Sequence, residues 1–256
     1  MQFPTFDRDA IDIHSHLNHG VEGDSRDPIF EGLSISDLDF MLRDNARFGI
    51  REVGYSTYAS VLTDQNIEAE NDYLHALSKE RGQVYQWVVV HPLIPNTFLQ
   101  AERMLEEKKV LGIKIHSPMH RYSIMEHGDR IFSFANERGA VVLMHPHKNA
   151  DMTVFADRYP NMKLIIAHLD SHVHINAIKN AKHGNIYTDT SGCLSALNNV
   201  IEGAVEAVGS EKILFGTDTY SPTSQYSRIA LARISHRDKE NILYKNALRL
   251  FEKAFD

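Results

Sequence analysis

The sequence predicts an α/β protein, a single-domain (β/α)8 TIM barrel over residues 1–256. Three observations predict it. Eight short apolar runs recur along the chain, each is followed by a stretch with helical spacing, and histidines and aspartates gather where the runs end. The runs are rich in β-branched and aromatic residues and alternate little, as parallel strands covered on both faces should. Eight units in 256 residues give roughly 32 residues each, about one βαβ repeat. An open doubly wound sheet is the rival, but it ordinarily carries a glycine-rich turn after strand one. Here strand one runs into histidines.

In order, the strand candidates are "AIDIHSH" (10–16), "REVGYST" (51–57), "VYQWVVVHP" (84–92), "LGIKIHS" (111–117), "AVVLMHP" (140–146), "KLIIAHLD" (163–170), "NIYTDTS" (185–191) and "KILFGTD" (212–218). Between them, "SDLDFMLRDNARFG" opens on Ser36, a good N-cap, and closes on Gly49. "NIEAENDYLHALSKERG" and "DRIFSFANERG" stop in the same way at Gly82 and Gly139. "TFLQAERMLEEKKV" starts at Thr97 after Pro95, and "DMTVFADRYP" runs from Asp151 to Pro160. "HINAIKNAKHG", "ALNNVIEGAVEAVG" and the tail "SHRDKENILYKNALRLFEKAF" complete the helical set.

Composition narrows the function classes. With 43% hydrophobic and 24% charged residues the chain is an ordinary globular protein. A net charge of −7 without a basic patch or tail argues against nucleic-acid partners. The start, "MQFPTFDRDA", lacks the pattern of a signal peptide, and no apolar run approaches the roughly 18 residues of a membrane span. The one cysteine, Cys193, rules out an intrachain disulfide and suits a reducing compartment. A cytoplasmic enzyme with a small-molecule substrate is the expectation, and a homodimer is the assembly common among such barrels.

The unusual count is 15 histidines. In a barrel of this class function sits at the C-terminal ends of the strands. His14 and His16 close the first run, His145 the fifth, His168 the sixth and Asp218 the eighth. Residues i and i+2 share a strand face, so His14 and His16 both aim at the mouth. With His145 and Asp218 they make an N/O donor set suited to Zn2+, and by ligand type Mn2+, Fe2+ or Ni2+ would serve.

The motifs "IDIHSH", "GIKIHSP", "VVLMHPH", "LIIAHLD", "IYTDTSG", "ILFGTDTYSP" and "NALRLF" span nearly the whole chain. They resemble the amidohydrolase superfamily, in particular the amidohydrolase-2 (amidohydrolase-related) group of metal-dependent hydrolases and decarboxylases. The resemblance implies that His14, His16, His145 and Asp218 ligate a metal, and that Asp218 also moves the proton. It makes His168 a catalytic group that polarises the substrate, or a ligand of a second ion in two-metal members. In some of those members a lysine near the end of strand four is carboxylated, which makes Lys114 a second-metal candidate. A buried lysine paired to a carboxylate is the plainer reading, and one ion is favoured over two.

A metal-bound water titrating near neutral pH would supply hydroxide, with Asp218 as its base. The leading expectation is therefore hydrolysis of an amide, ester or lactone. The alternative is non-oxidative decarboxylation, as in relatives resembling aminocarboxymuconate semialdehyde decarboxylase, most of which are longer than this chain. A barrel that keeps a metal only for stability is the third reading, disfavoured because structural zinc sites are closed and cysteine-rich. The long first and fourth loops offer Asn18, His19, Arg26, Arg121 and Tyr122 toward substrate, and alternation adds His116 beside Lys114 and His147 beside His145. His91 reads as structural, His19, His172 and His174 as exposed or capping, Cys193 as buried filler, and Trp87 and Tyr85 as packing residues.

Overall fold

The eight apolar runs become eight strands in the computed structural model, which describes residues 4–19, 38–145, 150–169, 171–192, 198–219 and 221–255. They are β1 (Ala10–Leu17), β2 (Ile50–Thr57), β3 (Val84–Val89), β4 (Val110–Ile115), β5 (Val141–Met144), β6 (Lys163–Ile166), β7 (Ile186–Asp189) and β8 (Ile213–Leu214). All pair in parallel, in sequence order around one sheet. Nearly every strand residue is buried, which explains the missing alternation.

Among the described residues no ladder joins β8 to β1. The barrel closes instead through Ile13 N–H to Phe215 O at 3.0 Å, and through the His14 carbonyl, which accepts from Thr217 N (3.2 Å) and Asp218 N (2.8 Å).

The helices are α1 (Leu38–Ala46), α2 (Tyr58–Leu62), α3 (Ile67–Glu80), α4 (Pro95–Met104), α5 (Ile124–Glu137), α6 (Thr153–Arg158), α7 (His172–Asn180), α8 (Val200–Val208), α9 (Pro222–Ala230), α10 (His236–Glu240), α11 (Asn246–Leu250) and α12 (Glu252–Phe255). Gly49 and Gly139 end their helices in the left-handed region as anticipated (φ 67° and 58°). Gly82 does not; α3 ends at Glu80 on an extended Arg81, the residue just before it. Pro95 proves to be the first helical residue of α4 rather than its predecessor. Asp151 caps α6 from outside, accepting from Thr153 N at 3.0 Å. The anticipated Ser36 cap and residues 196–197, placed in a helix by their spacing, lie outside the described residues.

Two helices escaped the sequence reading. Five-residue α2 is too short to show a period, and Thr57 caps it by accepting from Ser60 N. The other, α9, opens on Pro222 with a polar first turn. The tail, read as one helix, is interrupted by a wide π turn at Asn241–Lys245. Asn241 Nδ2 donates to Ser210 Oγ (2.9 Å) and Asn246 Nδ2 to Ile213 O (2.6 Å). The wider turn brings these residues, five apart, toward the same side of the helix, facing the barrel. None of the described helices is long and apolar enough to cross a membrane.

Inside the barrel, Trp87 Nε1 donates to Ile13 O at 2.6 Å and its ring meets Phe251 edge-on, while Tyr85 packs on Phe255. The tail thus seals the end of the barrel opposite the histidines, and both aromatics are packing residues as anticipated. Gly54 makes this possible: a Cβ there would come within 2.5 Å of Leu111 Cδ1, 2.9 Å of Ile13 O and 3.0 Å of Trp87 Nε1. Since one of these neighbours is backbone, Gly54→Ala should cost about 1–3 kcal/mol, read as a lower midpoint in urea unfolding. An unchanged midpoint would mean that the strand can shift.

Candidate metal centre

β1 supplies the first half of the site. Asp12, His14 and His16 follow one another at alternate positions, and all three are buried. The Asp12 carboxylate accepts from His14 N (3.0 Å), Thr217 N (3.1 Å) and Thr217 Oγ1 (2.6 Å), which fixes the strand just before its imidazoles. His14 Nδ1 lies 3.0 Å from Asp189 Oδ2 and 2.8 Å from Ser191 Oγ. With its proton on Nδ1 facing the carboxylate, His14 turns the Nε2 lone pair toward the mouth. His16 Nδ1 meets Ser56 Oγ at 3.0 Å. A hydroxyl can donate or accept, so Ser56 accommodates either tautomer of His16.

The second half comes from the loop after β8. Asp218, with a left-handed backbone (φ 56°), brings Oδ1 to 3.2 Å from His16 Nε2 and 3.6 Å from His14 Nε2. Two ligands each about 2.1 Å from one ion and roughly at right or tetrahedral angles stand about 3.0–3.4 Å apart. His16 and Asp218 stand at such a spacing and His14 slightly wider, so the three would hold a divalent cation of Zn2+ or Mn2+ type once Asp218 closes by a few tenths of an ångström and Lys114 Nζ releases His14 Nε2. The three form a group of potential ligand atoms within 4.8 Å of one another, and His14, His168 and Asp189 form a second.

His168, also left-handed (φ 62°), follows β6. Its Nδ1 faces the Ser191 carbonyl at 3.0 Å, which places the proton there, and Asp218 Oδ2 at 4.0 Å. Gly192 (φ 63°) lies against both: a Cβ would stand 2.9 Å from His168 Nδ1 and 3.2 Å from Asp218 Oδ2. His145, expected as a ligand, belongs to neither three-donor group among the described residues. It reaches the centre through His168, whose Nε2 is 3.2 Å from His145 Nδ1, and its other face stacks on His116 at 3.9 Å.

Lys114 is fully buried, but its partner is not the carboxylate anticipated. Its Nζ lies 2.8 Å from His14 Nε2, and no described carboxylate comes within ion-pair distance. Burial pushes the amine down to about 8, resisted by the charges of Asp218 and Asp189. Burial likewise drives His14 down to about 3, helped by Lys114, and His145 down to about 3, helped by His168 and Lys114. His16 is lowered by burial too. The imidazoles are thus neutral and ready to ligate. Burial opposes ionisation of Asp218 and Asp189 as well, but the histidines around each hold both carboxyls well below the usual range.

The substrate candidates fare differently. Tyr122 is buried, edge-on to His91, and its hydroxyl has no partner. Arg121 is exposed, in a left-handed turn. Arg26, His147 and Cys193 lie outside the described residues. Asn18 is half-buried. His19 stacks flat on Tyr73 and pairs with Glu70 at 3.0 Å, so it braces the end of β1 rather than standing free in solvent. His172 is exposed as expected, whereas His174, expected at the surface, is buried.

Sequence reasoning missed Asp12, Ser56, Asp189 and Ser191. Asp189, an acid closing the seventh apolar run, carried the same signal as Asp218.

The Amidohydrolase family model (Amidohydro_2) matches residues 11–253, and the chain belongs to that family. No curated protein matches it. Among solved structures it is similar to 2,6-dihydroxybenzoate decarboxylase from Rhizobium, with 15% identity and a TM-score of 0.75 over 96% of this chain and 99% of that one. It is similar to 5-carboxyvanillate decarboxylase from Sphingomonas paucimobilis, with 16% identity and a TM-score of 0.73 over 96% and 99%. A third is dihydroxybenzoic acid decarboxylase from a Polaromonas species, solved with bound manganese, with 16% identity and a TM-score of 0.72 over 96% and 97%. Coverage of this extent removes the expectation that length sets the chain apart from decarboxylases.

The buried imidazoles make acid destabilising. His14, His145 and His120, the last lowered by burial to about 4, are neutral when folded and protonate near 6.5 once unfolded. Between those values the unfolded chain binds more protons, so their contribution is full above pH 6.5 and is lost as pH falls. Asp12, raised by burial to about 7, works in the opposite sense; three groups outweigh one. The metal-free protein should lose about 1.4 kcal/mol per pH unit for each net proton between pH 6.5 and 4.5. Urea unfolding at both pH values checks this, and greater stability at pH 4.5 would contradict the neutral-imidazole assignment.

Proposed function

We propose that the protein is a metal-dependent, non-oxidative decarboxylase of a small aromatic carboxylate, in place of the hydrolase that the sequence put first. What carries the reading is the likeness to three decarboxylases over nearly the full chain. The site agrees with it. Lys114 is a buried amine facing the donor set with no described carboxylate within ion-pair distance, and a substrate carboxylate would provide one.

His14, His16 and Asp218 would hold the cation, with Asp189 and Ser56 orienting the two imidazoles. When bound, the cation would ligate substrate oxygens and withdraw electron density from the ring. The chain's residues do the rest. Lys114 attracts the carboxylate, and the buried wall keeps bulk water out. Asp218, ionised at rest, takes the proton of the substrate's ring hydroxyl at its carboxylate and delivers it to the ring carbon as the C–C bond breaks, leaving the product to regain a hydroxyl proton from solvent on release. The bonding electron pair stays on that carbon and CO2 leaves. His168, 4.0 Å from Asp218, would position the substrate oxygens. One ion per chain, Mn2+ or Zn2+, is the proposed loading, with Lys114 unmodified.

The test is CO2 release from a panel of hydroxylated benzoates, run beside esters and lactones, with protein loaded with Mn2+ or Zn2+. CO2 release should be lost on chelation and fall about 10²–10⁴-fold in Asp218→Asn. Metal analysis should give one equivalent per chain. Ester or lactone turnover without CO2 release, or two equivalents together with the mass of a lysine carbamate, would return the hydrolase reading to first place.

A further inference from the structure

We propose that Thr219 is a positioning residue for the metal centre. Its hydroxyl would staple the loop after β8 to β1 and so set the spacing between Asp218 and the two β1 imidazoles. The inference rests on reading His14, His16 and Asp218 as metal ligands.

Two independent observations carry it. The first is the bonding of one hydroxyl. Thr219 Oγ1 accepts from His16 N at 2.7 Å, donates to His16 O at 2.9 Å and meets Ser15 Oγ at 3.1 Å. A hydroxyl has one proton and two lone pairs, so with Ser15 donating every capacity of Thr219 is used. Both backbone groups of a ligand residue are thereby held by the residue next to the facing ligand. They are held where the strand ladder that would ordinarily set this distance is missing. Further down the seam, Thr219 N donates to Thr217 Oγ1 at 3.2 Å, and that oxygen donates to Asp12. The staple is therefore continuous with the anchor beneath His14.

The second observation is backbone strain. Asp218 and Thr219 are consecutive left-handed residues (φ 56° and 65°). A β-branched residue is a marked outlier there, and such a conformation persists only where its surroundings over-determine it. Glycine would relieve the strain. If the loop served barrel closure alone, glycine would be the better residue. The hydroxyl is what glycine lacks.

Mn2+ affinity, measured by calorimetry on metal-free protein, and melting temperature are compared in wild type, Thr219→Ser, Thr219→Val and Thr219→Gly. The valine variant keeps shape and strain without the hydroxyl, the glycine variant removes both, and the serine variant keeps the hydroxyl. Valine and glycine should each weaken Mn2+ binding by about tenfold or more, the usual effect of losing a ligand's outer support. Serine should stay within about threefold of wild type.

If Thr219→Val does not fold, the serine and glycine variants carry the comparison. Wild-type affinity in Thr219→Gly overturns the inference, because folding without strain would then suffice to place the ligands. Failure of the underlying reading looks different: wild-type protein itself takes up no Mn2+ or Zn2+, and both fall together.

Discussion

The carbonyl oxygen of His14 is the point on which both the barrel and the centre depend. It accepts from Thr217 N and Asp218 N, so the residue that offers an imidazole to the mouth also holds the opposing carboxylate by its backbone. Seven ladders carry register around the barrel to this seam. A slip of β1 by one residue there would turn His14 and His16 away from Asp218, because side chains alternate along a strand. β1 itself is irregular at the critical place. Its register against β2 shifts between Asp12 and Ser15, across His14, and such bulges re-aim side chains beside active sites.

From that seam a continuous arc of imidazoles crosses the mouth. His16 contacts His14 (ring centroids 5.2 Å apart), His14 contacts His168 (5.2 Å), His168 contacts His145 (5.0 Å) and His145 stacks on His116 (3.9 Å). Rings this close and this dry could not all carry charge. Burial holds His14, His16, His145 and His116 toward the neutral form, while Asp218 and Asp189 are held ionised. The left-handed backbone at His168 and Asp218 belongs to the same economy of space, since Gly192 lets both side chains approach closer than a Cβ would allow.

The barrel was legible because burial on both faces writes each parallel strand as an apolar run, and a polar residue ending such a run stands out. His14, His16, His168 and Asp218 were found in this way. β8 shrinks from the seven residues anticipated to two because Gly216, Thr217 and Asp218 leave the ladder to bend over β1. The orienting groups left no comparable trace. Asp189 meets His14 across 175 residues of chain and Thr219 meets His16 across 203. Such pairings are products of closure, and a serine or threonine at the end of a strand looks like any turn residue. Lys114 was read as buried, correctly, but with the wrong partner. Which imidazole or carboxylate it faces depends on barrel register, which one strand's pattern does not contain.

Charge in the centre bears on the kind of substrate it would accept. Burial makes any uncompensated charge costly. Asp189 and Asp218 are held ionised against the one ammonium of Lys114, which leaves these three groups with a net charge of about −1. Asp12 is pushed toward neutrality and adds little. A divalent cation would bring the set to about +1, and a substrate with a single carboxylate would then bring it to neutrality. A neutral ester or lactone would reach the same balance only with a hydroxide beside it. The count accommodates a carboxylate substrate without a second anion. It also gives Lys114 a reason to remain an unmodified amine, since a carbamate would replace the cation that attracts the carboxylate with a further negative charge.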